Sequence, residues 1–168
     1  MKKNNWSICR SAAAAAVLIL PVAAQAAMLL DCGKVKPETV LLHTPEKRGQ
    51  SVRGESLEQL GALRIDWDCA RSGHFEFQLK PGVKLPEFRT AQIRVRAFIP
   101  EDGKSRNLNL RITDRDGETF QFSRPLAAAD RGWREFVYEI NAEKPKAGSW
   151  GKKANRRIDF PAKFTGFA

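Results

Sequence analysis

Trp150 stands in Gly148-Ser149-Trp150-Gly151, a loop context in which a large apolar ring would face water. A flat indole face offers the CH groups of a sugar ring a stacking platform, while nearby polar groups bond its hydroxyls. The other reading is a loop tryptophan folded back as a lid over the core. Lys152, Lys153, Arg156 and Arg157 follow closely, and this coincidence of charge and aromatic surface makes the loop a candidate contact for a ligand. Arg94 and Arg96 share one strand face, and Arg111 with Asn109 would lie alongside if the two strands are neighbours. Grouped guanidinium forks bind carboxylates or sulfates bidentately. A wet sheet face with cross-strand ion pairs to Glu76, Asp66 or Glu135 would give the same pattern.

Other chemistries are less well served. Asp114, Asp116 and Glu118 surround Gly117 and could offer oxygen ligands, but the spacing lacks the remaining positions of a calcium-binding loop. A hairpin turn closed by aspartates explains them better. His43 and His74 are the two histidines, and neither sits in a nucleophile or zinc motif such as G-x-S-x-G or H-E-x-x-H. No catalytic residue is assigned, although two acids could converge in space for glycoside cleavage.

The elements that must position these residues are strands. Leu63, Ile65 and Trp67 alternate with Arg64, Asp66 and Asp68; Ile93, Val95 and Ala97 with Arg94 and Arg96; Leu108, Leu110 and Ile112 with Asn109 and Arg111. Such period-two alternation predicts pleated strands with one buried and one wet face. Strands are expected at 28–33, 62–68, 74–80, 90–99, 107–113, 119–123 and 133–140, with 40–42 able to make an edge strand and extended segments 157–160 and 163–167 finishing the chain around Pro161. The turns Ala70-Arg71-Ser72-Gly73 and Asp114-Arg115-Asp116-Gly117 would close hairpins. A helical turn is expected at 55–60, a connection at 81–87 and a loop from 141 to 153. Trp133/Val137 and Phe136/Tyr138 are both apolar, which predicts a bulge or a strand buried on both faces. About eight short strands without a long amphipathic helix point to an all-β, jelly-roll β-sandwich of two antiparallel sheets. The inward set is Leu63, Ile65, Trp67, Phe75, Phe77, Leu79, Ile93, Val95, Leu108, Leu110, Ile112, Phe120, Phe122, Phe136, Tyr138 and Ile158.

Residues 1–26 read as a cleaved export signal: Lys2, Lys3 and Arg10, then the apolar run 12–22, then Ala24-Gln25-Ala26. The run is shorter than the ~20 residues that span a bilayer. Residues 27–168 then form one sandwich domain, secreted or periplasmic, without a membrane span. Loss of the signal removes three of the charges behind the net +10, leaving a basic domain suited to acidic glycans or envelope surfaces. Export disfavours nucleic acid. Cys9 leaves with the signal, so Cys32 and Cys69 remain. An exported pair favours a disulfide, worth roughly 4 kcal/mol on chain-entropy grounds; two separately buried thiols are the alternative.

The stretch 61–168 resembles the galactose-binding-like β-sandwich domains attached to secreted bacterial glycoside hydrolases. The pieces that carry the likeness are Leu63-Arg64-Ile65-Asp66-Trp67-Asp68, then Leu110 to Asp114 with Asp116 to Phe120, then Gly132-Trp133, and Ser149-Trp150-Gly151 leading to Arg157-Ile158-Asp159-Phe160-Pro161. The resemblance implies a jelly-roll that binds a polysaccharide or glycan without catalysis and needs no cofactor, in some members with a structural calcium, for which Asp159 is the candidate. It also implies a separate enzyme partner. The alternatives are an interaction module that has lost sugar binding and a small polysaccharide hydrolase or lyase.

Overall fold

Wherever apolar and polar residues alternate, the backbone is extended and its apolar row turns inward. The computed structural model describes residues 16–20, 27–36, 39–43, 52–57, 61–67, 74–103 and 105–168. Twelve strands run through them: β1 (Ala16–Leu20), β2 (Ala27–Leu30), β3 (Val40–His43), β4 (Val52–Leu57), β5 (Ala62–Trp67), β6 (Glu76–Lys84), β7 (Thr90–Ile99), β8 (Asn107–Thr113), β9 (Thr119–Pro125), β10 (Gly132–Asn141), β11 (Gly148–Trp150) and β12 (Lys163–Phe167). They form a smaller sheet in the order β10-β7-β1-β2, a larger one in the order β11-β9-β8-β12-β6-β3, and a two-stranded ribbon β4-β5. Every pairing is antiparallel. The chain crosses between the two sheets at β2–β3, β6–β7, β7–β8, β9–β10 and β10–β11, which makes the fold an all-β sandwich. No described helix is long and apolar enough to cross a membrane.

The core lies between the two sheets. Ile93, Val95, Phe136, Tyr138 and Ile140 from the smaller sheet and Leu79, Leu110, Ile112, Phe120, Phe122, Phe164 and Phe167 from the larger form one cluster, which Leu63, Ile65 and Ile158 join. Phe75, Phe77 and Leu108 pack against it half-buried, and the Trp67 side chain lies outside those described. Tyr138 donates its hydroxyl to the Leu108 carbonyl at 2.8 Å and so ties the layers together. Burial raises its pKa, opposed by the positive charge of Arg124.

Several local expectations are corrected. β10 pairs with β7 in ten unbroken registers, so it carries no bulge and is not buried on both faces. Phe136, Tyr138 and Ile140 turn inward, while Trp133 (36% exposed) and Val137 (41%) face out. The outward indole is covered in part by Phe98, at 5.7 Å between ring centroids, and by the Arg96 guanidinium. The segment 52–57 is a strand, not a helical turn, and pairs with β5 from Val52↔Trp67 to Leu57↔Ala62. β5 and β6 do not form the expected hairpin: β6 pairs with β3 and β12 instead. Ala70 to Gly73 lie outside the described residues, and turn-forming residue types do not by themselves specify which strands pair.

β6 also continues through Pro81 and Gly82, expected to be a connection. Leu79 to Gly82 stand opposite Thr165 in a break of register, and such an irregularity tolerates a proline that has no ladder N–H. Residues 157–160 form no strand. Ile158 donates to the Ala142 carbonyl and Arg115 to the Asp159 carbonyl, so this segment divides its bonds between two loops.

Candidate functional site

The polar half of the alternation on the larger sheet lines a groove of about 650 Å³. Its floor and walls are His74, Glu76, Gln78 and Lys80 from the β6 side, Thr165 from β12, Arg111 and Thr113 from β8, Thr119 and Gln121 from β9, and Trp150 from β11. Spatial order follows strand order, so Trp150 stands at one side and β6 at the other. The larger sheet supplies both walls: its inner rows fill the core and its outer rows make the site.

Arg111 is the centre of the floor. Although charged, it is only 7% exposed. Its guanidinium ion-pairs with Glu76, donates Nε–H to Gln121 Oε1 at 2.9 Å, and carries Nη2 to 3.3 Å from His74 Nε2. Its Cζ also lies 5.0 Å from the Trp150 ring centroid, a cation–π contact. Glu76 is held just as closely, by His74 Nε2 at 2.7 Å and by the Gln78 amide at 3.1 Å. Burial pushes the Glu76 carboxyl up. The hydrogen bonds from His74, Arg111 and Gln78, with the guanidinium charge, outweigh burial and hold it below the usual carboxylate range. The charged floor is therefore a preorganised, hydrogen-bonded network. Thr113 Oγ1 lies 3.0 Å from Thr119 Oγ1 and 3.4 Å from Thr165 Oγ1, so a row of hydroxyls continues the floor.

Trp150 resolves its two readings by position. It ends the edge strand β11, paired with Thr119, and 46% of its surface stays exposed. It is a wall of the groove, not a lid on the core. The loop behind it is anchored from below by Glu118, which is fully buried. The Glu118 carboxylate accepts from the Asn155 and Arg156 backbone N–H groups. At Gly151 a Cβ would meet the Gly117 carbonyl at 2.8 Å, so the chain leaves Trp150 pressed against the β8–β9 turn. Asp114 fastens that turn by accepting from Asp116 and Glu118 N–H, as the hairpin reading expects.

The remaining residues singled out in the sequence do not converge there. Arg94 and Arg96 lie on β7, in the opposite sheet, so Arg111 is not beside them. Arg94 donates to Glu135 at 3.0 Å, and the Arg96 guanidinium stacks on Trp133 at 5.1 Å. Lys152, Arg156 and Arg157 are exposed on the loop after β11, and none of them lines the groove. The Asp159 carboxylate accepts from Asn155 Nδ2 at 2.6 Å. Among the described residues no group of three His, Cys, Asp or Glu side chains gathers around a common point. Calcium needs six to eight oxygen ligands, and the neighbouring Asp114 and Glu118 direct theirs at backbone N–H groups, so Asp159 does not fit a calcium site. Cys32 is buried, and Cys69 lies outside the described residues, as do the 24–26 cleavage site and the His43 side chain.

His74, Glu76, Gln78, Thr113, Thr119, Gln121 and Thr165 were not expected as site residues. Their signal was present as the polar phase of β6, β8, β9 and β12. Alternation identifies a wet face without telling a groove from a plain surface. Comparisons with protein-family models, curated proteins and solved structures return no match.

Proposed function

We propose that this chain is an exported, non-catalytic carbohydrate-binding β-sandwich that takes a glycan in the groove beside Trp150. One observation carries the reading: a half-exposed indole walls a groove floored by hydroxyl, amide and guanidinium groups from neighbouring strands. A sugar presents this same pairing, with CH faces that stack on an aromatic ring and hydroxyls that accept and donate in fixed directions. The floor is already hydrogen-bonded, so little ordering opposes binding. The likeness to galactose-binding-like domains points the same way, and the leader at 1–26 would deliver the domain to the periplasm or the exterior. A hydrolase reading draws no support from the described lining, where the single carboxylate, Glu76, is ion-paired with Arg111 rather than facing a second acid.

A second reading is favoured by a different surface. Trp133 and Val137 are exposed on the outer face of the opposite sheet, which suits an interaction module that docks a separate enzyme. The two readings separate in one experiment. Glycan-array screening of the domain, followed by calorimetry on the glycans retained, should detect binding that Trp150→Ala weakens by more than about tenfold and Trp133→Ala leaves unchanged. Absence of glycan binding by the folded domain, or loss with Trp133→Ala alone, overturns the groove reading.

A further inference from the structure

The outer face of the larger sheet is more basic than the groove floor alone. β12 pairs Lys163 with Lys84 on one side and with Thr113 on the other, so both lysines share the face on which Thr113 lines the groove. Lys80 lines the groove itself, and the register break at 79–82 sets it in the segment opposite Thr165. Gly82 lets the β6 backbone approach β12 closely at this corner, where a Cβ would also meet the Phe164 carbonyl oxygen at 2.9 Å. A Cβ built there would come within 3.2 Å of Thr165 Cγ2 and 3.3 Å of Lys163 Cβ, so backbone, not a side chain, lies against them.

Two like charges directly opposite on an antiparallel pair destabilise each other. All three lysines are exposed, and none is in an ion pair among the described residues. Glu76, the carboxylate of this face, is already held by Arg111. Among the described residues no ion pair compensates this repulsion, and Lys163 stands beside Thr113 of the groove lining.

We propose that Lys80, Lys84 and Lys163 form an anion subsite at the β6–β12 end of the groove, which makes the ligand a glycan bearing carboxylate or sulfate groups. The proposal rests on the groove reading and deepens it. Trp150 and the polar floor hold one sugar ring, and the lysines hold the charge of a neighbouring unit. The basic residues responsible are on the sheet face, not on the loop at 152–157 or on β7.

The test uses calorimetry with three probes: an oligogalacturonate, a sulfated galactose oligomer, and a neutral galactose oligomer of equal length. At low salt the protein should prefer at least one anionic probe over the neutral one by about tenfold, and added salt should erode that preference. Lys84→Gln with Lys163→Gln should remove the preference, leave the neutral oligomer's affinity unchanged, and leave Tm equal or raised because a repulsive pair is gone. Which anionic probe loses affinity identifies the charged group. Equal affinity for all three probes, or anionic binding untouched by the double substitution, overturns the subsite while the glycan groove stands. Failure of the folded protein to bind any of the three overturns both.

Discussion

Arg111 and Glu76 show how a charged pair can be both scaffold and floor of a groove. Removing water from both costs free energy that their mutual attraction only partly returns, yet here every neighbour completes the network: His74, Gln78, Gln121 and the Trp150 ring. Glu76→Gln removes the charge while keeping the shape. It should destabilise the domain by about 1–3 kcal/mol at neutral pH, read by urea denaturation. The sign of the pH dependence follows from the direction of the shift. The folded carboxyl sits below its ordinary 4.5, so its contribution is complete above that value and is lost as pH falls through the folded pKa. Wild type and variant should therefore converge in stability in acid. A gap that stayed constant through that window would show that the carboxylate's charge is not what stabilises the floor.

At the scale of elements, β12 depends on a single missing side chain. Gly166 has φ 136°, where side chains are strained, and a Cβ there would come within van der Waals overlap of the Phe77 carbonyl on β6. The break of register between Phe164 and Gly166 occurs against both β6 and β8. It turns Phe164 and Phe167 into the core on either side, while Thr165 reaches the groove. Gly166→Ala should cost at least about 2 kcal/mol, seen as a lowered urea midpoint. It should also weaken glycan binding, since Thr165 and the lysine corner are carried by the same strand. A variant as stable as wild type would mean that the close approach to Phe77 relaxes freely.

At the scale of the whole molecule, the proposed cleavage of residues 1–26 bears on assembly. β1 lies within the apolar run of the expected export signal, and in the structure it sits between β7 and β2 in the smaller sheet, pairing Ala16↔Arg96 through Leu20↔Gln92. Cleavage after residue 26 would open that edge of β7, while its other edge keeps ten registers with β10. A chain beginning at residue 27 should thus fold around the same core. Hydrogen exchange should be faster at the β7 amides that face β1, with those facing β10 still protected. Global loss of protection would instead make β1 indispensable to the sandwich.

The sequence alone determined the long central strands and their inner faces. Thr90–Ile99 and Asn107–Thr113 begin and end where alternation predicted, and Ile93, Leu110, Ile112, Phe120 and Phe136 are buried as that pattern demands. Alternation is a local property of the pleat, so it can be read without knowing any partner. Which strands become neighbours is not local. Arg94 and Arg111 look alike in sequence, yet they lie on opposite sheets, one on a plain outer face and the other at the centre of a groove. Trp150 could be told from a core tryptophan only once β11 had paired with β9 at the sheet's edge. Tertiary pairing, driven by burial of the inner rows, decides what the outer rows meet, and the groove is the consequence.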